Sequence, residues 1–557
     1  MKFLLPWSLA AALALPMPAA TNATAELPPI VVEGTPISKY RAETVSTATL
    51  FDAPPEEIPA VVDVLTEDFI DEMNPTDLHD LLRHQAGVFT AGGKSLQDRS
   101  SGLFTLRGFG GTEAKLDGTL GFSGAMALFM DPWAFERIEI AKGPVGATIG
   151  GTGSALGDAL GAGGSVNLIL KRPSLDRSFL TVVPRASFGA DAARARLGLD
   201  LNEPFAAGAA AFRLPVNVEY GRPFWMADGA RERESFFFAP TLLWRLRDDL
   251  RLGANLTLQY TDQPAYQGIP VFRGKPLPGF SWDSNVATAD MRDTYRGYTL
   301  QPWLEWDAST WLTLRSGFGY AFSDVSFDHL SVGGSYYNAR TGAVNPYAPR
   351  NYELSGGDML SRSYNLYQRA TARFGTGPLE HVFTVQGDYN RSQVQGRQFF
   401  ATVADRFAKH AWVPADYRRT MLQKYGILAQ DYLSWGRVRI LAGARYDYHE
   451  SNLGNTADAL SPRAGLSCLA TDWLIPFANV SFTEAPNLGR LAAPNRELDS
   501  AWRARQVEGG LRISPLSDLW LTASLYRIDQ ENLPTAIVDA NGAATGYYET
   551  EGAVRSQ

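Results

Sequence analysis

From about residue 178 onward, apolar and polar residues alternate one for one. Leu250, Leu252, Ala254, Leu256, Leu258 and Tyr260 fall on one face of an extended segment, with Arg251, Gly253, Asn255, Thr257 and Gln259 on the other. Residues 312–322 repeat the scheme: Leu314, Phe318, Tyr320 and Phe322 lie opposite Thr313, Arg315, Gly317 and Gly319. Residues 381–389 do so again, with Phe383 and Val385 opposite Thr384, Gln386 and Asp388. Runs of about ten residues with strict period-two alternation predict transmembrane β-strands, apolar outward and polar inward. Strands of a soluble sandwich alternate too, but are typically about five or six residues long. Short turns fall at residues 247–249, 307–310, 375–378, 436–437, 471–472 and 514–515; long connections span 261–295, 323–363, 394–422 and 484–503. Short and long largely alternate, as in outer-membrane barrels with short periplasmic turns and long extracellular loops. This parity starts the first strand from the periplasm and gives roughly sixteen strands, near the usual length, between residues 174 and 557.

The N-terminal third has a different pattern. Lys2 precedes an apolar stretch at residues 3–15, and Ala23-Thr24-Ala25 offers a cleavage site, so residues 1–25 read as a secretory signal peptide. Leu27, Pro28, Pro29, Ile30, Val31, Val32, Glu33 and Gly34 follow. Two prolines forbid a helix there and the β-branched residues favour a strand, suited to joining another protein's sheet edge; a disordered leader is the alternative. Residues 35–53 read as a linker, so 26–53 forms one connecting segment. From Pro54 the pattern is globular, with a strand over 59–66 and a helix opened by Thr66. A second helix over 76–84 ends at Gly87, with His79 and His84 as surface or capping residues. Residues 88–173 are rich in glycine and carry fixed charges at Arg107, Glu136, Arg137, Glu139 and Lys142.

Composition narrows the class. The chain has 557 residues and a net charge of −8, with no long basic tract, which argues against nucleic acid as a partner. Beyond the N-terminus no apolar run approaches the roughly 18 residues of a membrane-spanning helix. The one cysteine, Cys468, lacks partners for a metal or redox site and reads as a small buried or lipid-facing residue. With 22 Tyr and 13 Trp, the chain has the aromatics that interfacial girdles need. No nucleophile–base pair, metal cluster or phosphate loop supports an enzyme, and no cofactor is implied.

At Arg107-Gly-Phe, Glu136-Arg-Ile-Glu-Ile, Lys142-Gly-Pro144 and Val166-Asn-Leu-Ile-Leu-Lys-Arg-Pro173, the chain resembles the plug of TonB-dependent outer-membrane receptors. Residues 27–34 look like their TonB box. Ser461-Pro-Arg-Ala-Gly465, Phe482-Thr-Glu-Ala-Pro486, Gln506-Val-Glu-Gly-Gly510 and Glu551-Gly-Ala-Val-Arg-Ser556 resemble barrel motifs of the siderophore-receptor branch. The resemblance implies an all-β transmembrane barrel with an N-terminal α+β plug domain (54–173) inside its lumen. Residues 153–163 are longer than the family's usual turn at that point. The family's barrels have 22 strands, whereas this sequence stops at Gln557 inside a motif that normally opens a further strand. The expectation is therefore a C-terminally truncated chain, about six strands short and unable to close its barrel, since an open edge in lipid is costly.

The resemblance also implies roles. A ferric siderophore is the transported ligand, imported across the outer membrane by a monomer in contact with lipid. TonB and its inner-membrane energising complex are the driving partners. Arg107 and Lys142 match plug positions that pair with wall acids, with Glu484 and Glu508 as candidate partners in a latch. The outward ligand site would use the plug apices (Lys94, Ser95, Phe122, Phe129) and loop aromatics (Trp225, Tyr266, Phe272, Trp282, Tyr336, Tyr337, Phe399, Phe400, Trp412). Haem, cobalamin or another chelate is the rival cargo, although no histidine follows His449 as haem receptors would have. A passive porin or surface adhesin is the rival of another class; a porin has no reason for a plug, and an adhesin none for a TonB segment.

Overall fold

A computed structural model describes the protein from residue 39 to 557. Outside the described residues lie 76, 91–104, 110–112, 120–129, 145–147 and 149–161 in the inner domain, and several loop stretches, the longest being 223–230, 333–351, 404–412 and 487–500. Residues 39–557 form one compact unit.

Among the described residues, eighteen strand elements make a single antiparallel sheet rolled into a barrel. Two of them, Arg233–Phe238 and Thr241–Arg247, share one position: both pair with Ala210–Arg222 on one side and Leu250–Pro264 on the other. The two-residue Val413–Pro414 only caps the strand Leu379–Val403. Sixteen positions around the wall remain, the number expected from the alternation. The side chains invert a soluble protein: Thr257, Gln259, Thr299 and Gln301 are buried, while Leu258, Tyr298, Leu300 and Leu304 are exposed. Exposed Trp244, Trp306, Trp311, Trp435 and Trp473 lie beside the short turns, and the tilted rings of Tyr298, Tyr320 and Tyr364 pack in a row farther up the outer face. Two-residue turns at Gly377 (φ 63°) and Gly436 (φ 54°) use the left-handed backbone that glycine adopts freely.

The strands are longer than the alternation predicts. Leu312–Val332 has 21 residues, and Tyr352–Thr376 and Leu379–Val403 have 25 each. Much of what reads as long loop is therefore hairpin standing above the membrane, paired residue for residue. Ladders join every consecutive pair of wall positions from Phe179–Phe188 to Ala544–Ser556. The strand order is that of a closed barrel, which brings Ala544–Ser556 round to Phe179–Phe188. Among the described residues no ladder of residue pairs accompanies that junction, and neither strand has a buried side chain at any described position. The order comes full circle at the junction where the unclosed edge is expected.

Inside the wall sits a four-stranded sheet in the order Val62–Thr66, Phe135–Lys142, Gly164–Leu170, Glu113–Leu116. Its core of Leu65, Phe135, Ile138, Ile140, Val166 and Leu168 continues onto Phe237, Tyr295 and Val325 of the barrel. The helix Glu67–Met73 is capped by Thr66, whose hydroxyl accepts from the Phe69 amide at 3.4 Å. Asp77 caps Leu78–Leu82 in the same way, accepting from Asp80 at 2.9 Å. Of the two histidines expected as surface or capping residues, His79 is buried, with its carbonyl accepting the C-cap hydrogen bond from Arg83, whereas His84 is exposed. Residues 45–53 are not a linker: Val45, Thr47, Ala48, Thr49, Leu50 and Ala53 are all buried, and Val45 pairs with Ala53. Cys468 is half-buried.

Candidate functional site: the seat of the inner domain in the barrel

Arg107 stands on a tight turn closed by reciprocal 3.0 Å hydrogen bonds between Leu106 and Phe109. The turn holds Arg107 at φ 52° and Gly108 at φ 82°. That backbone aims a buried guanidinium at the wall strand Ala501–Leu516. There it donates to Gln506 at 2.8 Å, forms an ion pair with Glu508, and lies 4.2 Å from the centroid of the Tyr526 ring. Asn479 donates to the other Glu508 oxygen at 3.0 Å. An interior pair with its remaining lone pairs satisfied holds position well, and removing one partner is costly.

The other two residues expected in this latch are engaged elsewhere. Lys142 pairs with Asp63 of the neighbouring inner strand. Glu484 pairs with Arg503 at 2.8 Å on the wall itself, at an exposed site. Both corrections have one cause: a long charged side chain takes the nearest opposite charge, and spacing does not reveal which strand is nearest. Gly143 (φ 100°) still ties the Lys142 turn to the latch, because a Cβ there would lie 2.2 Å from the Gln506 carbonyl oxygen.

A second attachment carries no signal in the latch motif. Asp131 accepts from the Trp133 amide at 2.9 Å and from Asn217 at 2.5 Å, and pairs with buried Arg196, which also donates to the Pro75 carbonyl at 2.8 Å. Beside it Lys171 bridges Asp200 (3.1 Å) and Glu67 (2.9 Å), which Arg213 also grips. The run Asp131-Pro-Trp133 could have flagged this place, since an acid capping a turn needs an outside partner for its spare oxygen.

A gap of about 520 Å³ remains between inner domain and wall, lined by Asp117, Arg251, Glu305, Arg315 and Arg369 among others. Asp117 accepts from Asn255 at 2.8 Å; burial pushes its carboxyl up to about 6.

Of the residues expected at the outward site, Tyr266 is half-buried at the end of Leu250–Pro264. The Phe400 backbone pairs with Ser355 and Val413, and Phe272 lies in a two-stranded ribbon with Lys275. Phe399 is half-buried in the same wall strand. Residues 27–34, Lys94, Ser95, Phe122, Phe129, Trp225, Trp282, Tyr336, Tyr337 and Trp412 lie outside the described residues, as does 153–161.

Residues 239–557 match the family model of the TonB dependent receptor-like β-barrel, and residues 54–157 that of the TonB-dependent receptor plug domain. The chain belongs to the TonB-dependent receptor family. The ferrioxamine B receptor of Salmonella typhimurium strain SL1344 is 24% identical over 88% of this chain and 70% of its own length. The metal-pseudopaline receptor CntO of Pseudomonas aeruginosa strain PAO1 is 26% identical over 94% and 73%. Among solved structures, the closed form of the ferric-catecholate import receptor Fiu from K12 E. coli superposes with a TM-score of 0.76 at 19% identity, covering 93% of this chain and 79% of that one. The inner domain is thus a plug, and this TonB-dependent receptor sits in the outer membrane.

Proposed function

We propose that this receptor binds a ferric siderophore at its outer face and imports it to the periplasm, driven by TonB and its inner-membrane energising complex. The polar seat of the plug carries the reading. Arg107 with Glu508, Arg196 with Asp131, and Lys171 with Asp200 hold the plug through contacts that water can replace when it shifts. A stopper glued by apolar area alone would have no such route. The gap beside Asp117 leaves space for the shift to begin. Ligand binding would reorder the plug, expose residues 27–34 for β-pairing with TonB, and let force displace the plug. The receptor acts as a monomer in lipid, the iron chelate being cargo and not a cofactor. The cargo class follows the relatives, which are named for ferrioxamine and metal-pseudopaline.

The test is growth of an iron-starved deletion strain, carrying this chain, on a panel of purified siderophores. Growth on at least one is expected, together with loss of uptake but not of binding when residues 27–34 are deleted. Rescue by haem or cobalamin alone would reassign the cargo, and uptake that survives the deletion would sink TonB coupling.

A further inference from the structure

The segment that joins the TonB box to the plug is held by two different bodies in succession. Its first buried attachment is to the plug. Glu139, fully buried in the strand Phe135–Lys142, accepts from the Thr47 amide at 2.9 Å, the Ser46 amide at 3.1 Å and the Thr47 hydroxyl. Arg137 donates to its other oxygen at 2.8 Å, and Asn167 of the next plug strand donates to the Thr47 hydroxyl at 3.1 Å. Two residues later the chain passes to the wall. Gln430 holds the Thr49 carbonyl and Arg369 the Leu50 carbonyl, at 2.6 Å for the latter. Ser467 donates to the Glu57 carbonyl at 2.5 Å, and Arg512 to the carbonyls of Glu56, Ile58 and Ala60 at 2.7–3.0 Å.

The order matters mechanically. Tension entering from the N-terminal side first meets partly exposed contacts, Lys39 with Glu72 and Arg41 over the Trp520 ring of the wall. The Glu139 clasp comes next and precedes the buried wall contacts of residues 49–60. The hydrogen bonds to the buried Glu139 carboxylate are charge-assisted, three of them converging on one oxygen. They load the central strand of the plug sheet, and four residues on that strand reaches Gly143, packed against Gln506, the residue that also holds Arg107. We infer that Glu139 is a force-coupling residue: through its clasp on Ser46 and Thr47, a pull on the N-terminal segment reaches the plug sheet and the Arg107 latch before it peels residues 49–60 from the barrel. Without the clasp the same pull falls first on the wall contacts of residues 49–60.

This deepens the TonB-driven reading and rests on it for its biological meaning, so the test has one arm that does not. Thr47→Val and Glu139→Gln are made in the full chain; Arg137 keeps its 2.9 Å partner Glu136 in both. Single-molecule pulling on the membrane-embedded protein from its N-terminus should show the first rupture force fall by about half, as expected when charge-assisted bonds become neutral ones. In cells, uptake should fall about tenfold, the equivalent of one lost hydrogen bond of ~1.4 kcal/mol, while chelate affinity and the plug's protease resistance stay at wild-type levels. An unchanged first rupture overturns the inference, as does wild-type uptake by the variants in cells where deleting residues 27–34 abolishes it. Loss of chelate binding and protease resistance along with uptake would make Glu139 a folding residue and overturn it equally. If deleting residues 27–34 leaves uptake intact, TonB coupling fails, and the pulling experiment alone decides the clasp.

Discussion

Single residues decide how firmly the plug is seated. Glu508→Ala leaves the Arg107 guanidinium buried without its counter-charge, which costs about 3–5 kcal/mol in comparable interiors. A double-mutant cycle with Arg107→Ala should recover much of that loss, measured as the urea midpoint for plug release; additive losses would show that the two side chains do not act as a pair. Asp117 gives a pH prediction. Its folded carboxyl is raised to about 6 from an ordinary 3.8, so the plug's stability contribution from this group is complete below about 4 and declines as pH rises through 6. Asp117→Asn removes the titrating group, and asparagine suits the positive φ of 48°. Because the side chain touches the gap, the gain at pH 7 should be about 1–2 kcal/mol, less than the full shift of two units implies. It should vanish near pH 4, as followed by urea titration at the two pH values. The Arg107–Glu508 contact was legible because the family resemblance marks both motifs. Arg196 and Arg213 were not, since each is one arginine on an alternating strand until the plug is placed opposite it.

Strands are where the sequence speaks most clearly. Period two assigns every side chain of Leu250–Pro264 to lipid or lumen, and the ladders agree: Thr257 meets Thr299 inside at 2.7 Å, while Leu256 faces Leu300 outside. Leu300→Arg puts a charge on the lipid side and should destabilise the barrel by about 2–4 kcal/mol if it lies near the midplane, less towards either rim. Folding titrations into vesicles would measure it. Strand ends were less legible. The pairing of 323–332 with 352–361 depends on two hairpin arms standing together above the membrane, where no lipid imposes an apolar face. The connecting segment was misread for a related reason: Val45, Thr47 and Leu50 have no helical or strand period, because their burial comes from being strapped between plug and wall.

At the scale of the whole molecule, a filled lumen should hardly conduct. Planar bilayers containing the receptor are expected to show little ion conductance, and Arg107→Glu, which sets like charges together at Glu508, should raise it measurably; porin-like conductance in the unmodified protein would refute the plugged arrangement. What the sequence determined alone is the wall and its contents. Alternation forces a barrel because backbone groups in lipid must pair within the sheet, and glycine-rich motifs mark the domain inside it. The tertiary structure decided which charges meet. Lys142 turns to Asp63 and not to a wall acid, Glu484 to Arg503, and Glu139 to residues more than ninety positions away. Periodicity acts over a few residues, whereas an ion pair forms with whatever opposite charge the fold brings within about 4 Å.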